Sequence, residues 1–389
     1  MTDQEKAGNK MIVMISRLSI VIFSISLLFS VVFSVGQRAL GSDVGVVFGT
    51  ASNPAQAPGG HAGSYFQFTP QWKKSTPRSE GFVLNSFIAA KIKKFSDKKA
   101  ARNSDFSLIK GGLSLVKSTL KNSALEFAWA VEHLAGRIAP TDFEFSLGEP
   151  NSYLSQNLNL AATFEASPFA FIVGSKLVWQ DYSTNVFDEQ DQPFQNDNLI
   201  QSIYTKLLSA TTNRMKFEIG GEWGDQKYRY RKVRGENGIS QSDGENLHLR
   251  KQDYYFAWIP EFYSFESTTA LAYGADQDLV SGISSVRKQK LEQKFLFPLS
   301  GRQGLALKTE FSILTRQFSR IHADLSSLEA AKHSGLRSDR VTKLSVGLIK
   351  SFWAHLEGSL TLAYLNSDSN FVDEIYEDRI IETGLTAKF

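Results

Sequence analysis

The sequence contains no cysteine. That excludes disulfides, thiolate metal sites, cysteine nucleophiles and a lipid anchor carried on an N-terminal cysteine, so an exported chain of this kind is held by its own packing or by a membrane. Methionine and proline are scarce, at 4 and 10 of 389 residues. Neither sign of charge dominates: 43 Lys and Arg face 40 Asp and Glu, a net +3, and there is no long basic run. Nucleic-acid binding through a basic patch therefore has no support. No H-E-x-x-H, G-x-S-x-G or glycine-rich phosphate loop occurs. The six histidines, His61, His133, His248, His322, His333 and His355, lack ligand spacing. The sequence thus implies no cofactor, no metal and no enzyme. His355 and Glu357, two residues apart, are only a weak hint of hydrolytic chemistry, and a solvated polar pair is the simpler reading.

What the chain has in quantity is aromatic residues, 29 Phe, 12 Tyr and 6 Trp, and these favour strands. The only long apolar run lies near the N-terminus. Lys6, Lys10 and Arg17 precede or enter a stretch from Leu18 to Val35, and small residues follow at Ser34-Val35-Gly36 and again at Ala39-Leu40-Gly41. A positive flank, an apolar centre and a small-x-small exit predict a cleaved export signal over residues 1–36, with cleavage after Gly36 or Gly41. An uncleaved anchor is the competing reading, since the run is close to the roughly 20 residues that span a bilayer. Beyond it no stretch is long and apolar enough for a membrane helix, and residues 37–389 read as one folded unit.

That unit has period two. In Leu154–Ala166, Leu154, Leu158, Leu160, Ala162 and Phe164 share one parity, while Ser155, Asn157, Asn159, Thr163 and Glu165 share the other. Such alternation is a strand with one apolar and one polar face. Met215, Phe217, Ile219 and Trp223 oppose Arg214, Lys216, Glu218 and Glu222 in the same way. Leu305, Leu307, Phe311 and Ile313 oppose Lys308, Glu310 and Arg316, and Leu356, Leu360, Leu362 and Tyr364 oppose His355, Glu357 and Ser359.

Counted from the C-terminus, the pattern predicts strands over 375–389, 354–366, 339–350, 303–318, 286–298, 261–275, 247–259, 213–230, 199–211, 169–182, 154–166, 124–136, 104–117, 81–94, 64–72 and 43–50. Sixteen is the expectation, with fourteen or twelve if weakly patterned N-terminal pairs merge. Short connections alternate with longer polar ones at 183–198, 231–246, 275–285, 319–338 and 366–374, the layout of membrane barrels. The repeat of about 22 residues is twice the 8–12-residue spacing of a soluble sandwich, the rival fold. The fold class expected is all-β: a transmembrane antiparallel up-and-down barrel.

The last residues, DRIIETGLTAKF, place Ile381, Thr383, Leu385, Ala387 and Phe389 on one parity. This resembles the closing strand of Gram-negative outer-membrane β-barrel proteins, whose terminal aromatic residue is read by the barrel-assembly machinery. The wider tail resembles the final loop and strand of barrel families without specifying one of them. The resemblance implies an outer-membrane location and, as partners, outer-membrane lipids, the assembly machinery and periplasmic chaperones. It implies no substrate.

The polar parity supplies candidate pore-lining residues: Arg214, Lys216, Glu218, Glu222, Lys288, Lys290, Lys294, Lys308, Glu310 and Glu357. Lys288, Lys290 and Lys294 share a face with Glu292, and the lysines together suggest a weakly positive lumen that the carboxylates offset. The function expected is a porin-like passive channel for small hydrophilic solutes. The alternative is a plugged barrel that acts through its surface loops in adhesion, reception or assembly. A helix-like stretch in 319–338 is expected either to constrict the pore or to lie outside it.

Overall fold

The structure, a computed structural model, describes residues 40–53, 62–76, 81–96, 105–120, 122–136, 152–182, 186–187, 193–194, 197–209, 215–233, 244–260, 262, 264–282, 284–300, 304–319, 337–353, 355–369 and 375–388. The expected export signal, Arg214, Phe389, and His61, His322 and His333 lie outside these residues, as does the helix-like stretch at 325–331.

The strands are β1 (Leu40–Ala51), β2 (Gly63–Ser75), β3 (Phe82–Phe95), β4 (Phe106–Leu120), β5 (Ser123–Gly136), β6 (Tyr153–Ala166), β7 (Phe169–Tyr182), β8 (Val186–Phe187), β9 (Pro193–Phe194), β10 (Asn198–Ser209), β11 (Met215–Lys232), β12 (Asn246–Pro260), β13 (Glu266–Asp278), β14 (Val286–Ser300), β15 (Leu305–Phe318), β16 (Ser338–Trp353), β17 (Leu356–Ser369) and β18 (Tyr376–Lys388). The short β8 and β9 pair only with each other. The other sixteen form one closed barrel in which each strand pairs antiparallel with its sequence neighbours and β18 returns to β1. Every predicted strand is present, within a few residues at most ends. One connection differs: β13 starts at Glu266 rather than 261, because Phe262 and Phe265 stack on each other in the turn (centroids 4.4 Å) and Phe265 packs on Phe297 (5.2 Å).

Alternation fixes which side of the wall each residue takes. Following the register around the ring, Phe48, Phe127, Leu160, Phe171, Ile203, Ile219, Leu271, Leu291, Val346, Leu362, Ile381 and Leu385 all face outward and are exposed. Large apolar side chains on the outside of a closed sheet are stable only against lipid, and through the middle of the wall the charges lie on the inward parity. Barrel strands run from 12 to 18 residues, more than the roughly 9–11 that cross the hydrocarbon. Closure leaves no unpaired edge within it. Outward aromatics form two belts. Phe169 and Phe217 meet near the short turns (6.0 Å). Trp223, Tyr254 and Tyr273 line up toward the long connections, the Trp223 Nε1–H donating to Tyr254 Oη at 3.0 Å.

The buried apolar clusters sit inside the barrel, at the end of the long connections. They are Phe106, Leu134, Tyr153 and Tyr182; Ala51, Tyr65 and Phe95; Val233, Leu247 and Leu249; and Val341, Leu365 and Tyr376. The inward parity is polar through the wall, and at this rim it adds apolar clusters set among buried carboxylates such as Asp339 and Asp378.

The seam between β1 and β18 runs in register from Asp43↔Lys388 to Ala51↔Ile380. At its rim end the Asp378 carboxylate accepts the Asn53 N–H (2.7 Å) and the Ser52 hydroxyl (3.2 Å). Lower down, Tyr65 on β2 lies across Gly49 on β1, and its hydroxyl donates to Glu382 on β18. The crossing needs glycine at position 49, because a Cβ there would lie 2.5 Å from Tyr65 Cζ. Tyr204 lies over Gly174 and Tyr255 over Gly220 in the same manner.

Gly49→Val forces the Tyr65 ring off the wall and is expected to cost roughly 1–3 kcal/mol, read as a lower urea midpoint in detergent. In a Tyr65→Ala background the same change costs much less. Equal penalties in both backgrounds would show that the ring does not depend on the glycine.

Candidate functional site: the inner wall

The inward parity of the wall places lysines next to carboxylates on neighbouring strands. Lys176 on β7 reaches over β10 to Glu222 on β11, with Nζ 2.8 Å from Oε2, and the Ser202 hydroxyl between them donates to Oε1 at 2.6 Å. Tyr255 Oη donates to Glu218 at 2.5 Å, and Lys206 Nζ stands 3.9 Å from the same carboxylate. Lys251 Nζ donates to Gln226 Oε1 at 3.0 Å. Asp276 on β13 holds Lys288 on β14 at 2.8 Å, with side chains only 2% and 4% exposed. Lys290 sits 2.7 Å from Glu292, and Lys294 grips the other oxygen of that carboxylate. Glu310 meets Lys343 and Glu357 meets Lys388, each at 3.2 Å.

The proposed pore residues on the described strands therefore all face inward. Lys216 and Lys308 are exposed at the turn end of their strands, while Glu218, Glu222, Lys288, Lys290, Lys294, Glu310 and Glu357 sit in the pairs above. The lysines act mainly as partners of carboxylates rather than as a separate positive stripe, because cross-strand neighbours on one face lie within ion-pair reach. His355 lies in the turn before β17, and Glu357 is committed to Lys388, so no His–Glu pair forms. His133 and His248 face outward on β5 and β12. Among the described residues no cluster of three metal-ligating side chains occurs. Ile381, Thr383, Leu385 and Ala387 line the outward face of β18.

Sequence reading missed Lys176, Lys206, Lys251, Asp276 and Lys343. Lys176 shares its parity with Ala170, Ile172, Gly174 and Val178, so the polar face of β7 is hidden among apolar and small residues. Asp276 lies in what reads as a loop, since β13 extends to Asp278. There the Asp278 carboxylate accepts N–H groups from Val280, Ser281 and Ser284 and closes the following turn.

No family model matches the chain. No curated protein matches it in sequence either. Among solved structures it is similar to a loop-deletion variant of OmpT, an outer membrane protein of Vibrio cholerae (9% identity, TM-score 0.49, covering 91% of this chain and 100% of that one). It is also similar to an anion-selective porin from Comamonas acidovorans (8%, 0.45, 90% and 99%) and to a bacterial polysaccharide outer membrane secretin (11%, 0.44, 90% and 98%). At these values no residue role passes from them to this chain.

Among the described residues Asp276–Lys288 is the ion pair with both side chains most covered, and removing one partner strands the other. Lys288→Met is expected to cost roughly 3–5 kcal/mol, measured as a shift in equilibrium unfolding. Adding Asp276→Asn is expected to restore most of that loss. A double variant no better than the single one would mean the pair is not the cause.

Proposed function

We propose that the protein is an outer-membrane channel that lets small hydrophilic solutes diffuse passively through its lumen. The observation that carries this reading is the inner wall itself: sixteen strands closed around a face of lysines, carboxylates and amides, beneath an apolar exterior. Barrels of about 16–18 strands leave an aqueous channel, whereas about eight strands fill their interior with side chains. Charged side chains facing a filled core would carry a heavy desolvation cost. The location in the outer membrane of a Gram-negative bacterium follows from the same reading, because closed barrels with an apolar outer band are the way sheets cross that membrane.

Pairing of the wall lysines shapes the expected selectivity. Lys290 and Lys294 both hold Glu292, and Lys176, Lys288 and Lys343 each meet a carboxylate, so no lysine face of one sign is built on the wall. The anion preference is correspondingly weak.

One observation favours a second reading. The inward clusters at the rim, including Leu134, Leu365 and Phe106, are fully buried, which suits a mouth closed to solute and a barrel that acts through its loops.

Single-channel recording of the folded chain in planar bilayers separates the two. Stable current steps of constant size are the expected result. Silence from protein whose heat-dependent gel mobility shows it folded would sink the channel. With steps in hand, Lys290→Glu with Lys294→Glu is expected to move the reversal potential in a salt gradient toward cations. An unchanged potential would remove β14 from the conduction path.

A further inference from the structure

The outer face carries several shallow grooves that conduction does not use, and one of them ends at Arg250. A groove of about 560 Å³ crosses the middle of the wall of β5–β12, and its β12 end points toward the long connections. That volume lies within the range of about 300–1,000 Å³ typical of small-molecule sites. Its apolar part is made by Leu160, Leu177, Ile203 and Trp223, and its loop-side end by Gln252 and Arg250. The small Ser175 side chain keeps its middle open.

Height along the wall is set by the aromatic belt. Trp223, Tyr254 and Tyr273 mark the level at which amphipathic rings sit between hydrocarbon and headgroups. The outward positions beyond that belt, toward the long connections, carry Lys227 on β11, Arg250 on β12 and Arg287 on β14. A carboxylate also stands there, Asp225, whose Oδ1 lies 3.7 Å from Arg250 Nε and 3.4 Å from His248 Nε2. Arg250 remains 53% exposed despite this neighbour. Arg250 at the loop-side end of the groove, with Arg287 two strands beyond it at headgroup height, matches an amphiphile with an anionic head and acyl chains.

We propose that this face is a binding site for a diphosphorylated, acylated lipid of the outer leaflet. An acyl chain lies against Ile203, Leu160 and Trp223, and phosphates bind Arg250 and Arg287. Guanidinium groups suit phosphate because they donate two parallel hydrogen bonds. β12 and β14 are two strand spacings apart, about 10 Å, which suits a headgroup with two separated phosphates better than a glycerophospholipid with one. The inference rests on the membrane reading above, and on the long connections facing outward, but not on the lumen being open.

The test uses the folded chain in detergent and native mass spectrometry with three probes: diphosphoryl lipid A, monophosphoryl lipid A and phosphatidylglycerol. The expected order of retention is diphosphoryl above monophosphoryl above phosphatidylglycerol, with about tenfold between the extremes. Arg250→Gln with Arg287→Gln is expected to abolish the preference for the second phosphate. Ser175→Trp, which fills the groove and leaves the cations in place, is expected to weaken retention of all three lipids. Both variants are checked for heat-dependent gel mobility and for the same single-channel current as the parent, so loss of lipid binding is read apart from loss of the channel. Equal retention of the three lipids by the parent, or an unaltered preference in the double arginine variant, would overturn the proposal.

Discussion

Backbone hydrogen bonding in a medium without water is the constraint on which the rest of this structure depends. A strand in lipid with an unpaired edge leaves several kcal/mol of unmet polar groups. The sheet therefore has to meet itself, and the meeting of β1 with β18 decides everything else about the wall. Once the ring is closed, each residue has only two directions available, toward lipid or toward the lumen. The parity that puts Leu385 and Ile381 outside puts Glu382 inside. Charge pairing follows from the same geometry, because inward side chains on adjacent strands are brought within reach of each other whether or not the sequence places them close. Lys176 and Glu222 are 46 residues apart in the chain and 2.8 Å apart on the wall.

The balance of charges on the wall is a second consequence of closure. A lysine facing the lumen is half-desolvated by the barrel around it, and a carboxylate on the next strand offsets that cost. Asp276 and Lys288, almost fully covered, show the limit of this rule. Lys290 and Lys294, which both hold Glu292, show one carboxylate serving two lysines of its own strand. The tyrosines act at the same level. Tyr65, Tyr204 and Tyr255 each fold flat over a glycine on the neighbouring strand and place a hydroxyl on an inward acceptor, Glu382, Asn159 and Glu218 respectively. Bulk is thereby kept against the wall, away from the axis.

Most of the architecture was legible in the sequence, because alternation is a local property and survives in nearly every strand. The boundaries of β7 were read to the residue, since Ser167 and Pro168 punctuate one end and a polar run the other. The wall was less legible than the fold. Parity named Glu218, Glu222, Lys288 and Glu310 as inward, but it carries no information about which strand neighbour a charge will meet. That depends on register, and register is set by closure. Lys343 illustrates this: its face of β16 alternates Asp339, Val341, Ser345 and Gly347 around it, and only the offset of β16 against β15 brings it to Glu310. The apolar rim escaped for the opposite reason. Leu134, Val341 and Leu365 fit an apolar parity by type, yet they occupy inward positions at the strand ends, where the wall has left the lipid and the two faces no longer differ in environment.

The bond from Asn53 to Asp378 joins residues 325 apart in the chain, and the register beside it is the one pairing in the ring that is not between sequence neighbours. Every other strand can find its partner as soon as the adjacent hairpin exists, but β1 must wait for the final strand. During that interval the growing sheet has two sticky borders, at β1 and at its advancing end, each able to recruit a foreign strand. Contacts of such long separation form late and slowly. The slow step in producing this molecule is therefore a single event of recognition between two distant segments, and a chain halted before β18 is a template for aggregation rather than a smaller barrel.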